Sequence, residues 1–121
     1  MGNRKYSKNH IWIEEDGALF KIGISDYAQK KLGSVMFLNL PDVGDDLESG
    51  KKFGDIESIK TVSDLISPID GTVAEINEDL LDEPDAVNDE AETAWFVKAE
   101  EVKMPEDLLL EEQYKAYCET L

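Results

Sequence analysis

Two short runs with a strand pattern meet at Lys60, and this arrangement constrains the fold more than any other part of the chain. In residues 53–59 the side chains alternate between two faces, and residues 62–67 carry Leu65 and Ile66 just before a turn-like segment. Period-two alternation on both sides of a tight connection predicts a β-hairpin at about residues 53–67. We therefore expect the side chain of Lys60 to be displayed at the hairpin tip.

A lysine at a hairpin tip has two interpretations. Its long amine is within reach of an enzyme that acylates it. Exposure is also the default state of lysine, so the spacing alone favours an ordinary solvated side chain. The hairpin pattern by itself therefore leaves modification of Lys60 open.

The composition is that of a small acidic protein. At 121 residues the chain has the length of one domain with a modest core, and we expect a single domain over residues 1–121. It has 28 acidic side chains and 12 basic ones, a formal net charge of −16. This charge disfavours nucleic acid and anionic membranes as partners. It either favours partners with basic docking surfaces or serves solubility alone.

The number of cysteines and the N-terminal residues indicate the cellular compartment in which we expect the protein. Cys118 is the only cysteine, so no internal disulfide forms, and no cysteines and histidines have the spacing of a zinc site. Residues 1–6 include basic side chains with no apolar stretch behind them, and no run approaches membrane-spanning length. These features predict a cytoplasmic protein with no metal and no membrane partner.

The remaining patterns predict further strands and one short helix. Ser25 is placed to cap a helix over residues 26–32, which Gly33 ends. Gly71 suits a turn that needs a positive φ. Strands are expected at residues 18–24, 35–40, 72–77 and 94–98.

Two predictions concern the acidic C-terminal third. The segment between Glu83 and Ala94 is expected to be a surface loop. A helix is expected at about residues 105–120, beginning at Pro105 with acids near the positive end of its dipole. Its apolar stripe would consist of Leu110, Tyr114, Tyr117 and Leu121.

The segment from Val43 to Ile76 resembles the lipoyl and biotinyl carrier superfamily, and further segments resemble the H protein of the glycine cleavage system. The resemblance covers about residues 4–118 and places Lys60 at the modified lysine. A biotinyl domain has methionines on both sides of its modified lysine, whereas this chain has Ile59 and Thr61. The resemblance therefore implies that the group on Lys60 is lipoate and not biotin. The segments are residues 6–12 (Tyr-Ser-Lys-Asn-His-Ile-Trp), 23–29 (Gly-Ile-Ser-Asp-Tyr-Ala-Gln), 32–33 (Leu-Gly), 40–44 (Leu-Pro-Asp-Val-Gly) and 57–60 (Glu-Ser-Ile-Lys).

This resemblance implies a mainly β fold, a flattened barrel-sandwich hybrid with short helices and a C-terminal helix packed outside. It implies a carrier that is not an enzyme and that moves the aminomethyl group of glycine on a lipoyl arm covalently attached to Lys60. The implied partners are glycine decarboxylase, aminomethyltransferase, dihydrolipoamide dehydrogenase and a lipoate-attaching enzyme. We expect a monomer, because one arm has to reach several enzymes in turn.

Three residues near the arm are candidate site residues. Glu57 belongs to the Glu-Ser-x-Lys motif of the family. Both Glu57 and Asp64 are candidates for recognition by the lipoate-attaching enzyme. Both are equally compatible with solvated strand residues. His10, beside Trp12, is either a structural residue or a proton carrier.

The chain departs from the family pattern at two places. Ile11 stands where these proteins usually have glutamate, and isoleucine accepts no hydrogen bond from an aminomethyl amine. Acidic residues at 89–94 replace a glycine-rich approach to Trp95. Three functions therefore stay open: the glycine cleavage carrier, an H-protein-like lipoyl carrier for lipoate relay or another redox pathway such as sulfur oxidation, and an unmodified binding module.

Overall fold

The computed structural model describes residues 4–121 and contains ten strands and four helices in that range. The first three residues of the expected domain lie outside the described residues. The strands are β1 (Arg4–Tyr6), β2 (Ile11–Asp16), β3 (Leu19–Ile24), β4 (Val35–Asn39), β5 (Asp46–Leu47), β6 (Lys52–Ser58), β7 (Val62–Ile66), β8 (Asp70–Ile76), β9 (Trp95–Lys103) and β10 (Leu109–Leu110). The helices are α1 (Asp26–Leu32), α2 (Glu78–Asp82), α3 (Ala86–Glu90) and α4 (Glu111–Glu119).

The strands form two antiparallel sheets. One sheet has seven strands in the order β10-β1-β2-β3-β9-β8-β5, and the other has three strands in the order β4-β6-β7. The mainly β class with a C-terminal helix is thus confirmed. The architecture consists of two sheets that are not closed into a barrel.

Apolar side chains from both sheets meet in one core. Ile13 and Ile22 of the seven-stranded sheet pack in the same cluster as Ile56 and Leu65 of the three-stranded sheet, and all four are at most 1% exposed. Full burial of a side chain of this size contributes about 1.5–3 kcal/mol. Because Ile56 and Leu65 belong to β6 and β7, the core fixes the base of the hairpin that carries Lys60.

Helix α1 begins and ends where the sequence predicts. The hydroxyl of Ser25 accepts a hydrogen bond from the backbone N–H of Ala28 at 3.2 Å. Gly33 has a φ of 78°, which is the left-handed region that glycine adopts without a steric cost, and its N–H bonds the carbonyl of Gln29 at 3.1 Å. The chain thus leaves α1 in a fixed direction toward the turn that carries Lys60.

The predicted surface loop between Glu83 and Ala94 is wrong, because this segment contains α3. Val87 and Ala91 are 0% and 3% exposed, and α3 contacts α1. These two apolar residues are four positions apart, so they lie on one face of a helix. The acidic residues around them cover the opposite, solvated face and conceal this short pattern.

The predicted start of the C-terminal helix is also wrong. The helix begins at Glu111, and Leu109 and Leu110 before it form β10, which pairs with β1. Of the predicted stripe, Tyr114 is buried and Tyr117 is half-buried, whereas Leu110 and Leu121 are 54% and 61% exposed. The ring of Tyr114 stacks on Tyr6 at 4.4 Å between centroids, so one aromatic pair anchors α4.

The expected positive φ at Gly71 is not observed. The described glycines with positive φ are Gly17, Gly33, Gly44 and Gly50. Gly71 instead lies where β8 approaches β9, and a Cβ there would come within 2.9 Å of the carbonyl oxygen of Glu100. Close approach of two backbones, and not turn geometry, explains the glycine.

Candidate functional site

Lys60 lies in the tight turn between β6 and β7, and its side chain is exposed. The last strand pair before the turn is Glu57 with Val62. Inside the turn, the N–H of Ser58 bonds the carbonyl of Thr61 at 2.8 Å. The hydroxyl of Ser58 accepts from the N–H of Lys60 at 3.2 Å and from that of Thr61 at 3.1 Å. Ser58 therefore holds the backbone of Lys60 in place while the side chain extends outward.

The turn is also attached to the end of α1. The N–H of Ile59 bonds the carbonyl of Ser34 at 2.9 Å. A Cβ added to Gly33 would lie 3.4 Å from Cε of Lys60, so the stem of the lysine passes close to Gly33. Two elements that are distant in sequence thus position the same lysine.

Asn88 on α3 supports this contact, and sequence reasoning missed it. Its amide donates to the carbonyl of Gly33 at 2.7 Å and to Oε1 of Gln29 at 3.0 Å. Its side-chain oxygen accepts from the N–H of Val35 at 2.8 Å. Asn88 satisfies the backbone on both sides of Ser34 and so fixes the segment that holds the Lys60 turn. No residue pattern in the sequence indicates this role.

A cleft of about 320 Å³ opens beside the hairpin. Its inner wall is apolar, and Asn9, Lys31 and Asp64 provide polar groups. Strands β6 and β7 of the Lys60 hairpin form part of its wall, and Leu32, another lining residue, directly precedes Gly33, which lies close to the stem of Lys60. An apolar wall with polar groups suits a hydrocarbon chain that carries a polar end. The lining residues are Asn9, His10, Ile11, Ile24, Tyr27, Ala28, Lys31, Leu32, Ile56, Ser63, Asp64 and Leu65.

The predicted site residues lie in two places. Glu57 is exposed on the solvent face of β6, in the last strand pair before the Lys60 turn. Asp64 lines the cleft, and its carboxylate pairs with Nζ of Lys52 at 3.2 Å. Ile11 lines the same cleft and is 1% exposed. Asp64 and Ile11 both line the cleft, but the carboxylate of Asp64 is paired with Lys52 and lies on the same solvent face of the hairpin as Glu57.

His10 forms part of the cleft wall and of the contact with α4. Its φ of 69° is uncommon for a residue with a Cβ. Its Nδ1 lies 2.7 Å from the hydroxyl of Tyr114, which lies 2.6 Å from the hydroxyl of Ser25. Burial lowers the pKa of His10, so the neutral ring is favoured, and its Nδ1 shares a hydrogen bond with the hydroxyl of Tyr114. These contacts support the structural interpretation of His10.

A second, larger pocket of about 480 Å³ lies between α1 and α4. Tyr6, Asp26, Tyr114 and Cys118 are among its lining residues, and no residue of the Lys60 hairpin lines it. The smaller cleft is therefore the one that the Lys60 hairpin helps to form.

Two further observations concern ions and membranes. Within residues 4–121, no group of three or more His, Cys, Asp or Glu side chains is arranged to hold a metal ion. No helix in the described part of the chain is both long enough and apolar enough to cross a membrane.

Comparison with known proteins identifies the family. The family model described as glycine cleavage H-protein matches residues 4–121. The glycine cleavage system H protein of Acidobacterium capsulatum is 45% identical over 117 residues, which cover 95% of this chain and 91% of that protein. The protein of the same name from Staphylococcus carnosus is 46% identical over 114 residues, covering 92% and 90%.

A solved structure shows the same fold. The crystal structure of a glycine cleavage system H protein from Mycobacterium marinum superposes with a TM-score of 0.89 at 32% identity, covering 98% of each chain. H proteins are non-catalytic lipoyl carriers with lipoate covalently attached to a lysine, and they interact with other components of the glycine cleavage system. This chain belongs to the glycine cleavage H-protein family.

Proposed function

We propose that this chain is the lipoyl carrier of the glycine cleavage system and that Nζ of Lys60 is the atom to which lipoate is attached. The observation that carries the assignment is the position of Lys60, exposed in a turn held by Ser58 on the hairpin whose strands line an apolar cleft. An exposed lysine on an ordered turn offers its amine to another enzyme while the backbone stays fixed. Residues 1–121 then act as one carrier domain.

The residues of the cleft fit such an arm. Lipoate, when bound, supplies a dithiolane that accepts the aminomethyl group of glycine and is later reoxidised. Ile24, Leu32 and Leu65 offer an apolar wall to the hydrocarbon part of the arm. Asn9 offers an amide oxygen as an acceptor to an amine at its end. The protein thus shields and orients the loaded arm and performs no chemistry itself.

The carrier requires several partners in succession. We propose glycine decarboxylase for loading, aminomethyltransferase for unloading, dihydrolipoamide dehydrogenase for reoxidation and a lipoate-attaching enzyme for maturation. A monomer leaves the hairpin open to each of them. We also propose a cytoplasmic location, in keeping with the free thiol of Cys118.

The test is the site of modification. After co-expression with a lipoate-attaching enzyme, peptide mass mapping is expected to find one lipoyl group, on Lys60. Lys60→Arg is expected to abolish it. Lys51→Arg, at another exposed position, is the matched control and is expected to leave it unchanged. Modification that persists in Lys60→Arg, or a wild type that accepts no lipoate, contradicts the proposal.

A lipoyl carrier for lipoate relay or another redox pathway is the second candidate, and Ile11 is the observation that favours it. The cleft has an isoleucine where the family usually has a carboxylate. Incubation of the lipoylated protein with glycine decarboxylase, glycine and pyridoxal phosphate separates the two candidates. Loading of the arm supports glycine cleavage, and failure to load supports the second candidate.

A further inference from the structure

The solvent face of the three-stranded sheet carries an apolar patch beside Lys60. Phe37 pairs with Glu57, and Glu57 pairs with Val62, so these residues form one row across β4, β6 and β7. Paired residues on neighbouring strands point to the same face. Phe37 and Val62 are 59% and 58% exposed, and Ile59 in the turn is 71% exposed. We name Phe37, Glu57, Ile59 and Val62 the tip face.

A β-bulge is the reason that Phe37 points outward. The register of β4 against β6 runs from Val35 with Ser58 to Phe37 with Glu57, so Met36 is an extra residue. Without it, Phe37 would stand opposite Ile56, whose side chain is fully buried in the core. A bulge at an edge strand re-aims the following side chain. Here it exposes a phenyl ring that regular pairing would have buried.

The next row of the same face is polar and internally paired. Asn39 donates to Asp55 at 2.6 Å, and Nζ of Lys52 lies 3.4 Å from Asp55 and 3.2 Å from Asp64. Glu57, in contrast, has no ion-pair partner among residues 4–121. On this face, the exposed apolar side chains and the unpaired carboxylate of Glu57 therefore lie in the turn and in the row of residues next to it. Clustered exposed apolar side chains of this kind mark interaction sites.

We propose that the tip face is the docking surface for the enzyme that attaches lipoate to Lys60. This proposal rests on the proposed function. The partner surface is expected to be apolar opposite Phe37 and Val62, with a basic side chain opposite Glu57, because a carboxylate buried in an interface needs a charged or hydrogen-bonding partner.

The reach of the lysine selects this partner over the others. The attaching enzyme has to bring its reaction centre to Nζ of Lys60. Only the length of the lysine side chain separates this atom from the backbone of the turn. The turn residues and the adjacent row must then lie in the interface. Enzymes that act on the dithiolane reach a group that the lipoyl chain holds farther from the turn, so they do not need to contact Phe37.

The reaction itself requires this close approach. Lipoate reacts as its acyl adenylate, formed from ATP, and the ammonium of Lys60 first loses a proton to give the neutral amine. Nζ attacks the carbonyl carbon, the C–N bond forms, and the C–O bond to the phosphate breaks with its electron pair leaving on AMP. The nitrogen then releases a second proton, giving a neutral amide with no change of oxidation state.

The experiment compares attachment with a reaction at the end of the arm. Apo-protein variants are incubated with a purified lipoate ligase, lipoate and ATP, and kcat/KM for attachment is measured. Phe37→Ala and Val62→Ala are expected to lower it about tenfold or more, as loss of an interface anchor does. Glu57→Gln is expected to lower it and to reduce its salt dependence. Val43→Ala is the matched control, since Val43 is 62% exposed and lies beyond the opposite end of β4.

A second measurement shows whether the effect belongs to attachment. Each variant is fully lipoylated with excess ligase, and its reduction by dihydrolipoamide dehydrogenase is expected to stay within about twofold of wild type. Unfolding midpoints equal to wild type exclude misfolding, and Phe37→Leu is expected to restore most of the attachment rate.

The outcomes separate this proposal from the function on which it rests. Unchanged attachment in Phe37→Ala and Val62→Ala overturns the docking surface while Lys60 stays the modified residue. An equal loss in attachment and in reduction also overturns it, because the tip face is then a general contact surface. No attachment to wild-type protein overturns the proposed function itself.

Discussion

At the scale of single residues, small polar side chains position Lys60 more than charged ones do. The hydroxyl of Ser58 bonds two N–H groups of the turn, and the amide of Asn88 fixes the segment at Gly33. The two acidic residues that the sequence suggests as site residues do not hold the Lys60 turn. Asp64 pairs with Lys52, and Glu57 points away from the cleft. The lipoyl arm proposed for Lys60 would thus have a rigid attachment point, which would limit the volume that its end explores.

Ile11 leads to a prediction about how well the loaded arm is protected. Ile11→Glu would restore an acceptor for the aminomethyl amine within the cleft. Loss of one such partner for a buried amine costs about 1–3 kcal/mol, so the variant is expected to slow loss of the aminomethyl group roughly five- to a hundredfold. The measurement is the release of ammonia and formaldehyde from loaded protein without tetrahydrofolate. Ile11→Leu, which is similar in size and has no acceptor, is the control and is expected to leave the release rate unchanged.

Equal release rates in wild type and Ile11→Glu would contradict this prediction. They would mean that Asn9, which lines the same cleft, already provides a sufficient acceptor. The position of Ile11 would then be a tolerated variation within the family.

At the scale of elements, the sequence predicts those whose signals are local. Ser25 and Gly33 define α1 because a cap and a left-handed glycine act within a few residues of the helix ends. The hairpin at 53–67 is predicted because alternation is read along each strand. Predictions fail where distant contacts decide: β1 draws Leu109 and Leu110 into a strand, and α1 provides the surface that α3 covers.

The same distinction applies to the candidate site. Lys60 is predicted as the attachment site from its hairpin and from the Glu-Ser-x-Lys motif of the family, and both signals are local in sequence. The cleft beside it combines residues from β2, β3, α1, β6 and β7, so no single segment indicates it. The outward position of Phe37 depends on one bulge in β4, which alternation cannot predict because alternation assumes a regular register.

Helix α4 gives a prediction about the contact between an element and the sheet. Tyr114→Phe keeps the ring that stacks on Tyr6 but removes the hydroxyl that bonds His10 and Ser25. Leaving these buried groups without a partner is expected to lower the free energy of unfolding by about 1–3 kcal/mol. The measurement is urea unfolding, in which the midpoint falls and the slope stays constant.

Tyr117→Phe is the matched control for this experiment. No hydrogen bond of the Tyr117 side-chain hydroxyl is found in the described residues, so its loss is expected to change stability by less than about 0.5 kcal/mol. Equal midpoints for Tyr114→Phe and wild type would show that the hydroxyl contacts do not anchor α4.

At the scale of the whole molecule, the net charge of −16 is the dominant feature. Few of the acids are neutralised by close partners, and exposed pairs such as Lys30 with Asp26 and Lys115 with Glu111 contribute little to stability. Helices α2 and α3 contain acidic side chains and no basic ones. Such a field acts on the approach of partners and not on the fold.

The charge therefore gives a prediction about association rates. A long-range negative field accelerates the approach of partners with basic docking surfaces, and salt screens it: the Debye length falls from about 30 Å at 0.01 M to about 3 Å at 1 M ionic strength. The association rate of the lipoylated protein with dihydrolipoamide dehydrogenase, measured by stopped flow, is expected to fall about tenfold or more over this range. The double variant Asp79→Asn and Asp82→Asn is expected to reduce the slope, because both acids lie on α2, outside the hairpin, and act only through the field. Rates that stay flat with salt would mean that the charge serves solubility alone.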